Sequence, residues 1–158
     1  MRGANQTPGY YQRPELYAQS LTPADDGGVA WFDSGDLAWR RDDGGIRISG
    51  RSKDLVIRGG ENVPVVEVEA VLYTHPQVQE VAVVGYPDDR LGERACAVVV
   101  AQGDAAPTLA DLTAWLDRHG MARQFWPERL EVVAEMPKTP SGKIQKFHLR
   151  ERLRPASS

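Results

Sequence analysis

Near its C-terminal end the chain reads Pro137-Lys138-Thr139-Pro140-Ser141-Gly142-Lys143-Ile144-Gln145-Lys146. Two prolines, a serine and a glycine exclude an interior helix turn or a central strand, so the run is a shaped surface loop. Three of the chain's four lysines fall on it, while arginine supplies nearly all the other positive charge. A lysine directly after Ser-Gly, where backbone can approach a ligand closely, suits a mobile point charge aimed at a phosphate or carboxylate. An exposed basic loop with no ligand would have the same composition, so the loop alone does not decide between the two. The fourth lysine, Lys53, lies in the polar break Gly50-Arg51-Ser52-Lys53-Asp54. A second glycine stretch, Arg58-Gly59-Gly60-Glu61-Asn62-Val63-Pro64, lacks the lysine spacing of a nucleotide P-loop. Asp33-Ser34-Gly35-Asp36 is a tight turn that presents carboxylates at a rim or merely caps itself.

The elements that must hold these residues follow from patterning. Residues 1–28 hold Gly3, Pro8, Gly9, Pro14, Pro23, Gly27 and Gly28 with no sustained period. Only Pro14-Glu15-Leu16-Tyr17-Ala18 could start a short helix there, and such a segment buries no core alone. Val29-Ala30-Trp31-Phe32 reads as a strand. Asp42-Asp43-Gly44-Gly45 is a hairpin turn with Ile46-Arg47-Ile48 returning, and a boundary between two structural units is expected near Lys53. Leu55-Val56-Ile57-Arg58 resumes a strand, and Gly59 and Gly60 then make a turn into a helix that opens at Pro64 and continues Val65 to Tyr73. Glu67 and Glu69 are expected early in it, at the positive end of the dipole. Val78–Tyr86 and Arg94–Ala101 are apolar runs of strand length. Thr108, with Asp111 three residues on, is an N-cap for a helix whose stripe is Leu109, Leu112, Trp115 and Leu116, ended by Gly120. Glu128–Glu135 reads as a third strand and Phe147–Leu153 as a closing amphipathic helix. The fold class expected is α+β, a small three-stranded sheet packed with helices and preceded by a β-hairpin.

Composition bounds the function. With 158 residues, 41% hydrophobic and 26% charged, the composition is that of a globular protein, and the length allows one domain of ordinary size or a small domain plus a remnant of another. A net charge of -3 speaks against a general nucleic-acid or membrane-surface role. No apolar run spans a bilayer and no signal peptide is visible, which points to the cytoplasm. Cys96 sits in an apolar run and reads as a buried core thiol. His75, His119 and His148 fall on separate elements without ligand spacing, so no metal site is expected.

Taken together, Ser-Gly-Asp-Leu-Ala (34–38), Gly-Arg-Ser-Lys-Asp (50–54), Gly-Gly-Glu-Asn (59–62) with Glu-Val-Glu (67–69), and Pro-Lys-Thr-Pro-Ser-Gly-Lys (137–143) occur in family order. They resemble the C-terminal part of an adenylate-forming acyl-CoA synthetase, a superfamily that includes luciferase and nonribosomal peptide adenylation domains. The resemblance implies a two-step reaction: a carboxylate attacks the α-phosphate of ATP, and coenzyme A then displaces AMP. It implies a C-terminal domain that rotates between the steps. By the same resemblance Lys143 is the adenylation lysine, Asp36 holds the ribose hydroxyls, and Arg51 contacts the nucleotide. Lys53 is the hinge, Gly59, Gly60 and Glu61 form the loop that admits the pantetheine arm, and Arg118 lies near the CoA phosphates. For Arg118 a plain helix C-terminal arginine is the competing reading.

The resemblance also implies parts that this chain lacks: a phosphate loop, the acidic motif for ATP and Mg2+, and an acyl pocket. The expected partner is therefore a large N-terminal adenylation domain, with a small carboxylic acid as substrate and Mg2+ bound only through that domain. The domains expected are a remnant of the large domain, irregular and open to disorder (1–28), a hairpin unit with hinge (29–53), the AMP-binding enzyme C-terminal domain (54–154) and a tail (155–158). The chain alone is expected to be inactive, and its exposed remnant could pack on a second copy. Three other readings stay open: part of an amino-acid-activating adenylation domain, a non-catalytic binding module, or a truncated product.

Overall fold

The computed structural model describes residues 2–154, Ser49 by its backbone only, so the tail expected at 155–158 lies outside the described residues. The chain divides into two compact units between Ile48 and Ser49. In the first, α1 (Pro14–Gln19) opens on a proline whose missing N–H costs nothing in a first turn. β1 (Leu21–Thr22) pairs antiparallel with β2 (Trp31–Phe32). Tyr17 stacks on Phe32 and meets Tyr10 edge-on, and its hydroxyl donates to the Thr7 carbonyl at 2.6 Å. Residues 1–28 thus carry the short helix that Pro14 could start and a two-residue strand, and Tyr10 and Tyr17 from this stretch pack with Phe32 of β2. β3 (Asp36–Arg40) and β4 (Ile46–Arg51) form the expected hairpin, and β4 runs across the division between the units. Gly44 at φ 83° takes the left-handed position of its turn, and its N–H donates to the Arg41 carbonyl at 2.9 Å.

The second unit begins with a 3-10 turn (Ser52–Asp54), then β5 (Val56–Arg58), β6 (Glu61–Val63), α2 (Val65–Leu72), β7 (Val78–Asp88) and β8 (Gly92–Ala101). α3 (Leu109–Arg118), β9 (Arg129–Val132) and α4 (Lys146–Leu153) complete it. The sheet has five strands rather than the expected three, in the order β6-β5-β8-β7 with β9 also on β8. Of the two extra strands, β5 falls in the run Leu55–Arg58 that reads as a strand, and β6 holds three residues, too few to show a period. β7 occupies one edge of β8 from end to end, so β5 and β9 share the other. β5 meets it at Arg58–Gly92, antiparallel, and β9 along Cys96–Val99, parallel. Between them Glu128 closes the gap: its carboxylate accepts from the Ala95 N–H at 3.1 Å and from Arg58 Nε at 2.6 Å.

Both faces of this sheet are covered, which is why β7 and β8 read as unbroken apolar runs rather than alternating ones. Val81, Val83, Ala95, Ala97 and Val99 face α2 and α3, joining Val68, Leu72, Leu112 and Leu116 in one cluster. Their alternates Ala82, Val84, Cys96, Val98 and Val100 face the other way, with Met136, Leu149 and Leu153. Burial pushes the Cys96 thiol up to about 12, so it behaves as a small core hydrophobe. Thr108 and Asp111 exchange a complete capping box at the start of α3.

Among the described residues His75 is the buried polar residue of this unit, its ring T-shaped against Trp115 at 5.0 Å, with Nδ1 accepting from the Gln77 N–H at 3.2 Å. Loss of solvent pushes its pKa below the ordinary value, partly offset by Asp111. The unfolded chain therefore binds a proton that the folded chain refuses. His75 stability is complete above about pH 6.5 and falls as pH drops from there through the lowered folded pKa. In His75→Asn, whose amide oxygen can replace Nδ1 as acceptor, the urea midpoint is expected to fall less between pH 7.5 and 5.5 than in the parent. An equal fall would place the acid sensitivity elsewhere.

Candidate functional site

The lysine loop is a miniature hairpin. Lys138 and Ile144 form an antiparallel bridge, and the Gln145 N–H donates to the Pro137 carbonyl at 2.7 Å. The reversal is a β-turn over residues 139–142, in which the Gly142 N–H reaches the Thr139 carbonyl at 2.9 Å and Pro140 presets the second position. Gly142 then sits at φ 83°, the left-handed residue that such a hairpin needs after a type I turn. The Thr139 hydroxyl ties the turn internally: it accepts from the Lys143 N–H at 3.1 Å and lies 2.9 Å from the Ser141 hydroxyl. The residue types that marked the loop in the sequence are those that this geometry requires.

The structure separates the three loop lysines. Lys138 Nζ is paired with Glu80 of β7 at 2.6 Å, and Lys146 Nζ with Glu69 of α2 at 2.7 Å. Lys143, exposed between them, has no side-chain hydrogen bond or ion pair among the described residues. One ammonium therefore stands at the tip of a braced hairpin, free to meet an anion from outside.

Gly59 and Gly60 do not lead straight into a helix. They are the two central residues of the β5–β6 hairpin, at φ 59° and 86°, the pair of positive angles of a type I′ turn. Glu61 begins β6 opposite Arg58, and α2 follows only after Val63. A second turn supports the first. The Asp88 carboxylate accepts from the N–H groups of Leu91 and Arg90, bonds led by Leu91 that hold its pKa below the usual carboxylate range despite some desolvation. The Leu91 carbonyl in turn accepts from the Gly59 N–H at 2.8 Å. Gly60→Ala is expected to cost about 1–2 kcal/mol, because open space surrounds the added methyl but the left-handed backbone does not suit it. Urea midpoints check this, and Gly60→Asn should lose less.

The other expected site residues fall as follows. Asp36 opens β3 in the first unit, with its N–H on the Ser34 hydroxyl at 3.3 Å. Arg51 ends β4 and Lys53 lies in the 3-10 turn, both exposed in the second unit. Beside Lys53, Asp54 pairs with Arg150 of α4, so the chain just after the expected hinge is tied to the helix that follows the lysine loop. Arg118 folds back at the end of α3, with Nε on the Ala114 carbonyl at 3.3 Å and its guanidinium 4.8 Å from the Trp115 ring. Gly59, Gly60 and Glu61 form one turn, and Lys143 tops another. No hydrogen bond or ion pair joins those two turns among the described residues. Glu69 lies beyond the first turn of α2 instead of at the dipole end, where Glu67 alone stands, because the helix starts at Val65, four residues earlier; its carboxylate accepts from the Val83 N–H of β7. Sequence reasoning missed Glu69, Lys146, Glu80 and Glu128 as partners. No local signal marks pairs so far apart in the chain.

A family model described as AMP-binding enzyme C-terminal domain matches residues 67–143. The medium-chain fatty-acid–CoA ligase of Escherichia coli (strain K12) is 43% identical over 151 residues, which are 95% of this chain and 26% of that protein. The salicyl-AMP ligase / salicyl-S-ArCP synthetase of Mycobacterium tuberculosis is 45% identical over 116 residues, 73% of this chain and 20% of that protein. The ATP-bound crystal structure of MatB from Rhodopseudomonas palustris superimposes with a TM-score of 0.81 at 36% identity, over 96% of this chain and 29% of that one. The chain spans about a quarter of the length of the curated relatives it matches. With the four motifs and the fold agreeing, the chain belongs to the adenylate-forming ligase superfamily and carries its AMP-binding enzyme C-terminal domain.

Proposed function

We propose that the chain is the C-terminal part of an ATP-dependent acyl-CoA ligase and that it supplies the adenylation lysine. The observation that carries this reading is the sorting of the loop lysines, in which only Lys143 is left unpaired at the tip of a braced hairpin. In the first step a carboxylate oxygen attacks the α-phosphorus of ATP, and the bond to pyrophosphate breaks. Negative charge gathers on the phosphoryl oxygens, where an ammonium already in place stabilises it without reorganisation. In the second step the thiol sulfur of CoA attacks the acyl carbon, AMP leaves, and the thiol proton is released.

Asp36 would hold the ribose hydroxyls and Arg51 would contact the nucleotide. Lys53 would be the hinge about which one face replaces another between steps. The side-chain-free tip at Gly59 and Gly60, with Glu61, leaves backbone space for the pantetheine arm, and Arg118 would meet the CoA phosphates. We assign Mg2+ binding and the acyl pocket to a large adenylation domain acting as partner, and accordingly the chain alone should not turn over. We place the protein in the cytoplasm; among the described residues no helix is long and apolar enough to cross a membrane.

A second acceptor has a specific observation behind it: a relative named for transfer to a carrier protein is as similar as the CoA ligases. The test is to join the chain to its large domain and screen carboxylates for acyl-adenylate formation. The adenylate is then offered to CoA or to a phosphopantetheinyl carrier. Thioester formation on free CoA is the expected outcome. Transfer to the carrier alone would move the protein to the carrier-loading branch, and no adenylate with any carboxylate would defeat the reading.

A further inference from the structure

Glu69 stands where three elements meet. It lies on α2, and its Oε1 accepts from the Val83 N–H of β7 at 2.6 Å and from Lys146 Nζ at 2.7 Å. Since β8 pairs with β7 along one edge, that N–H belongs to the outer edge, which Glu69 caps in place of a further strand. Lys146 is the first residue of α4 and follows Lys143 by one short step of chain. The side chains of this pair are 16% and 17% exposed, against 23% and 39% for Glu80 and Lys138 at the other foot of the hairpin. The lysine loop thus has a shielded foot and a solvated one, and the shielded foot is referenced through one carboxylate oxygen to the backbone of β7.

Resting on the adenylation role of Lys143, we propose that Glu69 is a positioning residue for that step, acting through Lys146 to hold the hairpin at a fixed height on the sheet. An ammonium that stabilises a phosphoryl transition state must be placed to well under 1 Å, and looser placement lowers the chemical step rather than substrate binding. The β5–β6 turn, assigned above to the second step, has no bond to this pair among the described residues, so the effect is expected in the first step only.

The test uses the chain joined to its large domain. Glu69→Gln keeps an amide oxygen for the Val83 N–H but removes the charge that holds Lys146, and Lys146→Met removes the other partner. Both should lower kcat for carboxylate-dependent ATP–pyrophosphate exchange by about 10–100-fold, with KM for ATP little changed. Thioester formation from preformed acyl-adenylate should stay within about two-fold of the parent, and Lys146→Arg should recover at least about half of the exchange rate. A parallel fall in both half-reactions, tracking a lowered urea midpoint, would make the pair merely structural and overturn the proposal. So would unchanged exchange, or equal loss in Lys146→Arg and Lys146→Met. A Lys143→Ala control that leaves exchange intact would instead bring down the adenylation reading beneath it.

Discussion

Alanine at position 143 is expected to lower acyl-adenylate formation by about 10²–10³-fold in the assembled enzyme, while leaving thioester formation from added acyl-adenylate nearly intact. The size follows from what one preorganised donor contributes to a charged transition state in a dry site. The selectivity follows from placement. Lys143 tops the hairpin built on the bridge between Lys138 and Ile144, and the residues expected to face the thiol top a different hairpin, the Gly59–Gly60 turn. No other loop lysine can take over, because Lys138 and Lys146 are held by Glu80 and Glu69. Separate assays of the two half-reactions check this. Equal loss in both would mean that Lys143 acts on the fold or on the motion between steps.

Leu149→Ala is expected to cost about 2–5 kcal/mol, the range for emptying a buried leucine site whose walls cannot close. Leu149 is 2% exposed and, with Leu153, is the contribution of α4 to the smaller of the two core clusters. The walls on the sheet side are Ala82, Val84, Cys96 and Val98, fixed by the pairing of β7 with β8, so the cavity stays largely open. The urea midpoint should fall with the slope unchanged. A loss below about 1 kcal/mol would mean that α4 is docked by its charged contacts, Lys146 with Glu69 and Arg150 with Asp54, more than by its leucines.

What could be read in advance was local. Thr108 and Asp111 lie three residues apart and recognise each other within a single helical turn, so the α3 cap was visible in the sequence. The apolar runs of β7 and β8 announced strands, and that both their faces are buried is shown by the two core clusters. β5 was legible in the run Leu55–Arg58, but β6 was hidden, although Gly59-Gly60 is itself a type I′ signal, because a three-residue strand cannot show alternation and Pro64 drew attention to the helix. That β9 would lie parallel on the free part of β8 depended on how much of that edge β5 left open, which no local pattern encodes. The position of Lys143 on a Ser-Gly turn was legible. Its freedom was not, since that follows from Glu80 and Glu69 neutralising its two neighbours across the fold.

The most direct measurement is carboxylate-dependent ATP–pyrophosphate exchange by the chain alone, by a separately produced large domain alone, and by the two mixed. Exchange that appears only on mixing, and disappears with Lys143→Ala in the chain, is the predicted result. Exchange by the chain alone, or by the mixture irrespective of residue 143, would contradict the assignment of the adenylation lysine to this hairpin.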